Sequence, residues 1–323
     1  MSQFRLIGLA LALAVAAFGW ALTCAAWRFD RVAAGVVPLD PREFPGLSVV
    51  TLGTGGAFAD HNRRGPAIAV ASGSEVVVVD AGRGIAESLR AAKIPVSQPF
   101  AIALTSLLPE NTVGLDDLLA EAWLAERSEP LRLIGPPGTA ALGREIEAAL
   151  RPAAQAWLEA RDGRAVKPPG FAVEEVADGF ALERGAFSLR AGALPGGPVQ
   201  ALAWRFEWRG LAVVVSGAGW APDALASFAQ GAQLLVSEAA FLPTVEQARE
   251  MGIEEDPERL RRAATLHTGV DAVGEIARRA GVKTLVLVRL RPPPVYDLQV
   301  TSVVDDRFEG RVIVAEDGEE ITP

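Results

Sequence analysis

The sequence predicts an α/β fold in which two mixed β-sheets pack face to face with helices outside, preceded by an apolar helix at the amino terminus. Three observations predict it. Half of the 323 residues are hydrophobic, enough to bury one large core or two modest ones. Hairpin-rich β segments give way to alternating strand and helix, and this order occurs in both halves of the chain. Residues 6–27 carry no charge and are bounded by Arg5 and Arg28, and a bilayer core requires an apolar helix of about 20 residues.

That amino-terminal segment sets the expected organisation: a membrane anchor or signal segment at 1–30, a linker at 31–46 and a globular body at 47–323. Phe18, Trp20 and Trp27 suit an interfacial aromatic belt. The rival is a cleaved signal peptide with a small-residue site at Ala14-Val15-Ala16. That site would fall inside the apolar run, so an uncleaved, single-pass signal-anchor is the preferred reading. A short export-like segment ordinarily sends the following domain outward, which places the body on the extracytoplasmic side, although Arg28, Arg31 and Arg42 against Arg5 lean the other way. Pro38, Pro41 and Pro45 mark the linker.

The body opens with "LSVVTLG", a strand rich in β-branched residues. A polar turn, "TGGAFADHNRRGP", leads to the strands "AIAVAS" and "EVVVVDAG", joined at Gly73-Ser74. "RGIAESLRAAKI" then shows helical spacing at Ile85, Leu89 and Ala92, followed by the buried run "FAIALT". A helix through Leu115, Leu118, Leu119 and Trp123, the strand "PLRLIG" and a long helix after Pro137, with a break tolerated at Pro152, complete the first half. Strands at 171–176, 187–193, 199–208 and 211–216 open the second half, the last two turning at Arg209-Gly210. Helical and strand patterns at 222–229, 233–236, 257–264, 269–280 and 284–288 follow.

Composition narrows the chemistry. With a net charge of -9 and no run of four basic residues, the chain lacks the clustered cations that grip nucleic acid non-specifically, and no nucleic-acid partner is expected. Cys24 is the one cysteine, so an intrachain disulfide and a thiolate zinc site are both excluded. Only His61 and His267 supply imidazole. The loop after "FAIALT" sits where strand ends commonly hold metal ligands, yet it offers Ser106, Leu108, Pro109, Glu110 and Asn111.

"LGTGGAFADHNRRGPAIAVASGSEVVVVDAGRGIAESL", "LTSLLPENTVGLDDLL", "LIGPPGT", "VVVSGAGWAPDALASFAQGAQLLVSEAAF" and "LHTGVDAVGEIARRAGVKTLVLVRLRPP" together resemble the metallo-β-lactamase superfamily, in its ribonuclease Z and arylsulfatase-like branch. The likeness spans roughly residues 47–294, with landmarks in order, which is more specific than any lone motif. It implies an αββα sandwich and two zinc ions, held by a His-x-His-x-Asp-His loop, a later His, a bridging Asp and a His after the last core strand. Laid onto this chain, those positions fall on Ser106, Leu108, Glu110 and Asn111, then Gly196, Ala218 and Arg289. The His of the family's His-Glu-Ala loop is replaced by Ser237, although Glu238 and Ala239 remain.

Leucine, glycine and alanine donate no electron pair, and Arg289 would bring a fixed positive charge to a cation site. Neither zinc nor any other cofactor is therefore expected. Arg289 is expected to pair with Glu110 where metal once joined the two halves. Four residues remain as weak catalytic candidates: His267, matching a substrate-side His of the ribonuclease Z pattern or merely ordering a turn; His61, in a loop bordering the cleft; Glu110; and Asp80, which in the family supports the metal loop. A rearranged metal site built from these four is the alternative to losing catalysis. Ser216 and Ser237 lack an evident relay for nucleophilic work. The expected function is a membrane-tethered pseudoenzyme that binds a partner or small ligand in the old cleft; the alternative is a phosphodiesterase or ribonuclease Z-like hydrolase.

Overall fold

The computed structural model describes residues 3–36, 38–57, 61–125, 127, 129–163, 168, 170–252, 254, 256–292, 294 and 296–323. It comprises two compact units, Met1–Asp40 and Pro41–Pro323. In the first, helix α1 (Gln3–Val36) contains a stretch, Leu11–Phe29, long and apolar enough to cross a membrane. Leu11, Phe18, Trp20 and Trp27 stand exposed along it, as a bilayer-facing helix requires. The helix runs on through Arg28, and the first strand begins at Phe44, so the connection is shorter than the expected linker at 31–46. Pro45 lies inside that strand, at a register shift between Phe44 and Ser48, where a missing N–H costs no ladder bond.

The second unit holds two seven-stranded sheets among the described residues. In the first, β1 (Phe44–Gly53), β2 (Ala67–Gly73) and β3 (Glu75–Val79) pair antiparallel, and β4 (Ala101–Ala103), β5 (Leu131–Gly135) and β6 (Phe171–Glu175) continue in parallel. Helices α2 (Ile85–Ala91), α3 (Pro109–Thr112), α4 (Leu115–Leu124) and α5 (Thr139–Asp162) lie between these strands in the chain. The second sheet repeats the plan. Strands β7 (Ala181–Arg184), β8 (Phe187–Leu194), β9 (Ala201–Trp208) and β10 (Leu211–Ser216) are antiparallel, and β11 (Leu234–Ala240), β12 (Thr284–Arg291) and β13 (Arg311–Val314) parallel. Helices α6 (Pro222–Phe228), α7 (Val245–Glu250), α8 (Pro257–Ala263), α9 (Val270–Ala280) and α10 (Leu298–Asp305) belong to this half. The two-residue β14 (Glu320–Ile321) crosses back to pair with β1.

Strand sequences explain the layering. In β3, Val77 and Val79 point into the core between the sheets, with Phe187, Trp204 and Val213 opposite, while Val76 and Val78 face α2 and α4. Both faces are covered, so the strand reads as a continuous apolar run. The second sheet packs its outer face on α6 and α9 through Leu225, Ile276 and Leu285. This is the αββα sandwich the sequence led us to expect. The short elements β7, α3, α7, α10, β13 and β14 were not anticipated, because two to eight residues carry too little periodicity to register.

Helix α5 runs unbroken through Pro152, and its cap comes from a neighbouring strand. Gly138 at its start has no side chain, and Glu175 of β6 accepts from the Gly138 and Ala140 amides at 2.8 and 2.9 Å. Those amide donors hold the exposed Glu175 carboxyl below its ordinary value. A carboxyl depressed in the folded state stabilises above its ordinary titration range and loses that contribution as pH falls through the folded value. Glu175→Gln should therefore melt below wild type at neutral pH, and the two melting curves should converge in acid.

Candidate functional site

At the carboxyl ends of the core strands, two residues in left-handed backbone turn toward each other across the sandwich. Asp80, just past β3, has φ 61°, and Arg289 of β12 has φ 53°. Such conformations cost non-glycine residues of order 1–3 kcal/mol and persist where surroundings over-determine them. The Asp80 carboxylate accepts from the Thr105 amide at 2.7 Å, from Thr105 Oγ1 at 2.8 Å, and from the Arg289 guanidinium. Both side chains are buried. Burial pushes the Asp80 carboxyl above its ordinary value, against the opposing pull of Arg289 and the Thr105 donors.

The loop after β4 closes this network. Arg289 Nη1 donates to Asn111 Oδ1 at 2.5 Å, and Asn111 Nδ2 donates to Ser106 Oγ at 2.8 Å and Thr105 Oγ1 at 3.2 Å. The expected pairing of Arg289 with Glu110 is present, but only as a long ion pair. Those groups are 3.9 Å apart, and Glu110 takes its close ion pair from Arg291 instead. β12 shifts register against β11 between Val288 and Arg291, and at this irregularity both arginines reach the loop after β4.

In front of the network lies a cavity of about 470 Å³. Ser106, Leu108, Glu110 and Ala218 line it, facing Arg291 and His267. Apolar walls from Val113, Val199 and Leu266 surround these few polar groups, the composition typical of a small-ligand site. On one wall, buried Glu238 accepts from the Gly219 amide at 3.1 Å and the Thr268 amide at 2.8 Å through Oε1, and meets His267 Nδ1 through Oε2 at 3.2 Å. A carboxylate fixed by two amides orients the imidazole it meets. The partnership of His267 with Glu238 was not foreseen; the surviving Glu238-Ala239 after Ser237 was its only trace in the sequence.

The other candidates fall elsewhere. His61 is exposed and lines a neighbouring cavity with Arg63, Arg64 and Arg83. Asp80 is sealed behind Arg289. The rearranged metal site from His61, His267, Glu110 and Asp80 is therefore not assembled, and no group of three or more His, Cys, Asp or Glu residues among the described residues could hold an ion. Ser216 and Ser237 are buried, 3.2 Å apart through their hydroxyls, with no His relay. Cys24 lies on α1, outside the body.

Of the seven positions onto which the resemblance lays zinc donors, Leu108, Gly196 and Ala218 offer no donor side chain, and Arg289 holds a cation bonded to Asp80 and Asn111. The side chains at these positions do not fit a pair of zinc ions.

No protein-family model matches the sequence. Ribonuclease Z of Mycobacterium sp. (strain KMS) is 33% identical over 258 residues, covering 76% of this chain and 85% of that protein. Among solved structures, the metallo-β-lactamase fold protein YhfI from Bacillus subtilis superposes with a TM-score of 0.67 at 19% identity, covering 85% of this chain and 98% of its own. Zn(2+)-bound PqqB from Methylobacterium extorquens gives 0.61 at 15% identity, covering 85% and 100%. These findings overturn the expectation that the chain takes no cofactor: its relatives are the ribonuclease Z proteins for which two zinc ions were implied, and a protein of the same fold is solved with zinc bound. With relatives of that identity and coverage, this chain belongs to the ribonuclease Z branch of the metallo-β-lactamase superfamily.

Proposed function

We propose that the body acts on small phosphodiesters in the cleft of its ribonuclease Z fold, with His267 as the proton-handling group. The observation that carries this reading is the imidazole itself. It faces the cavity, and its far nitrogen is held by a carboxylate that two backbone amides fix in place. A histidine that only ordered the turn before α9 would need no buried carboxylate behind it. Arg83, which has no carboxylate partner among the described residues, supplies positive charge to the same cavity, suited to a monoanionic diester. The chain's acidic balance favours a small diester over a polynucleotide. Full-length protein in detergent, assayed on bis(p-nitrophenyl) phosphate with and without added zinc or manganese, should turn the diester over and cleave precursor transfer RNA no faster. Absence of turnover under every metal condition would defeat this reading.

A second reading, ligand binding without turnover, is favoured by Arg289, whose guanidinium stands among the family's donor positions. It predicts that the diester binds and is recovered intact. A further element of the proposal is a single-pass anchor, supported by the apolar length of α1, with the body on the extracytoplasmic side, where a short export-like segment ordinarily sends the following domain. In fractionated cells the full chain should resist alkaline carbonate extraction, and protease added to spheroplasts should digest the body. Release by carbonate would refute the anchor, and protection from protease the orientation.

A further inference from the structure

Beside the cleft lies a second cavity of about 470 Å³, lined almost entirely by polar side chains. The two cavities share Arg83. Three guanidinium groups, those of Arg63, Arg64 and Arg83, line it together with His61, against the carboxylates of Glu87 and Asp317. That excess of positive charge sits on a chain whose net charge is -9.

The two carboxylates offset part of it, but neither forms an ion pair with these arginines among the described residues. Asp317 accepts from the Thr54 amide at 2.8 Å, the Thr54 hydroxyl at 2.7 Å and the Arg64 amide at 2.6 Å, so its oxygens are taken by loop donors. Glu87 makes no ion pair among the described residues. Arg63 is committed to neutral oxygens, Thr54 Oγ1 at 2.8 Å and the Ala315 carbonyl at 2.6 Å. Among the described residues the Arg64 guanidinium reaches only Ser88 Oγ, at 3.4 Å. Arg83 is exposed and has no side-chain partner among the described residues. Each guanidinium carries five N–H donors in a planar fork, so Arg64 and Arg83 retain most of their hydrogen-bonding capacity, and both face the same cavity. Planar forks not bonded to a carboxylate match the oxygens of a phosphate group.

We infer that this cavity binds a phosphate group through Arg64 and Arg83, at a position separate from the His267 cleft. The inference rests on these arginines and not on turnover in the cleft. Because Arg83 belongs to both cavities, a phosphate held here lies at the entrance to the cleft.

Isothermal titration of the full chain in detergent with inorganic phosphate, at ionic strength held constant with chloride, tests it. One phosphate should bind, and Arg83→Gln and Arg64→Gln should each weaken binding by about ten-fold or more. Glu87→Gln should tighten it by removing a competing negative charge, and His267→Ala should leave it unchanged. Melting curves of each variant confirm that the fold is kept. No detectable phosphate binding, or affinity unchanged in both arginine variants, would overturn the inference. Loss of binding in His267→Ala would also overturn it, by placing the anion in the cleft.

Discussion

Arg289→Met should destabilise the body by about 3–5 kcal/mol, because it leaves the Asp80 carboxylate buried without its cation. Methionine fills comparable space, so the loss reports the missing charge and its hydrogen bonds rather than a void. Asn111 Oδ1 would also lose its 2.5 Å donor. Chemical denaturation followed by tryptophan fluorescence checks this, since Trp204 is fully buried and its indole donates to the Leu104 carbonyl at 3.1 Å, one strand-end from the network. The double variant Asp80→Asn, Arg289→Met should recover much of the loss, because no charge is then stranded. A single variant as stable as wild type would show that the ion pair does not join the two sheets.

His267→Ala should lower diester turnover by about 10²–10⁴-fold, the range for a positioned acid–base group, with KM nearly unchanged. Glu238→Gln should lower kcat in the same direction by less, since the amide still reaches the ring but holds its orientation less firmly than the carboxylate. Added imidazole should restore part of the activity of the alanine variant, an effect no structural role of His267 would give. Turnover undiminished in His267→Ala would remove the imidazole from the mechanism and leave the cleft's proton chemistry unassigned.

Much of the fold was legible in the chain. Strands such as "EVVVV" and "LAVVVS" are apolar on both faces, and that pattern suits only a sheet covered on both sides. The ribonuclease Z landmarks likewise located the loop after β4, the turn at Ala218 and the end of β12 as the places that build the site. The apolar amino-terminal helix was legible because hydrocarbon length along one helix is a local property. Short edge elements such as β7 and β14 escaped, because pairing across the sheet, not their own periodicity, makes them strands.

What only the tertiary structure decided is which charges meet. Arg289 and Asp80 are 209 positions apart and His267 and Glu238 are 29 apart, so no local spacing could match them. The sequence by itself determined which residues the resemblance lays onto the family's donor positions, an arginine at the last of them. That its guanidinium turns to Asp80 and Asn111, leaving Glu110 to Arg291, follows from two left-handed backbone residues facing each other across packed sheets. A side chain's partner is chosen by the direction its backbone gives it and by what the opposite layer presents, and both are set only once the layers pack.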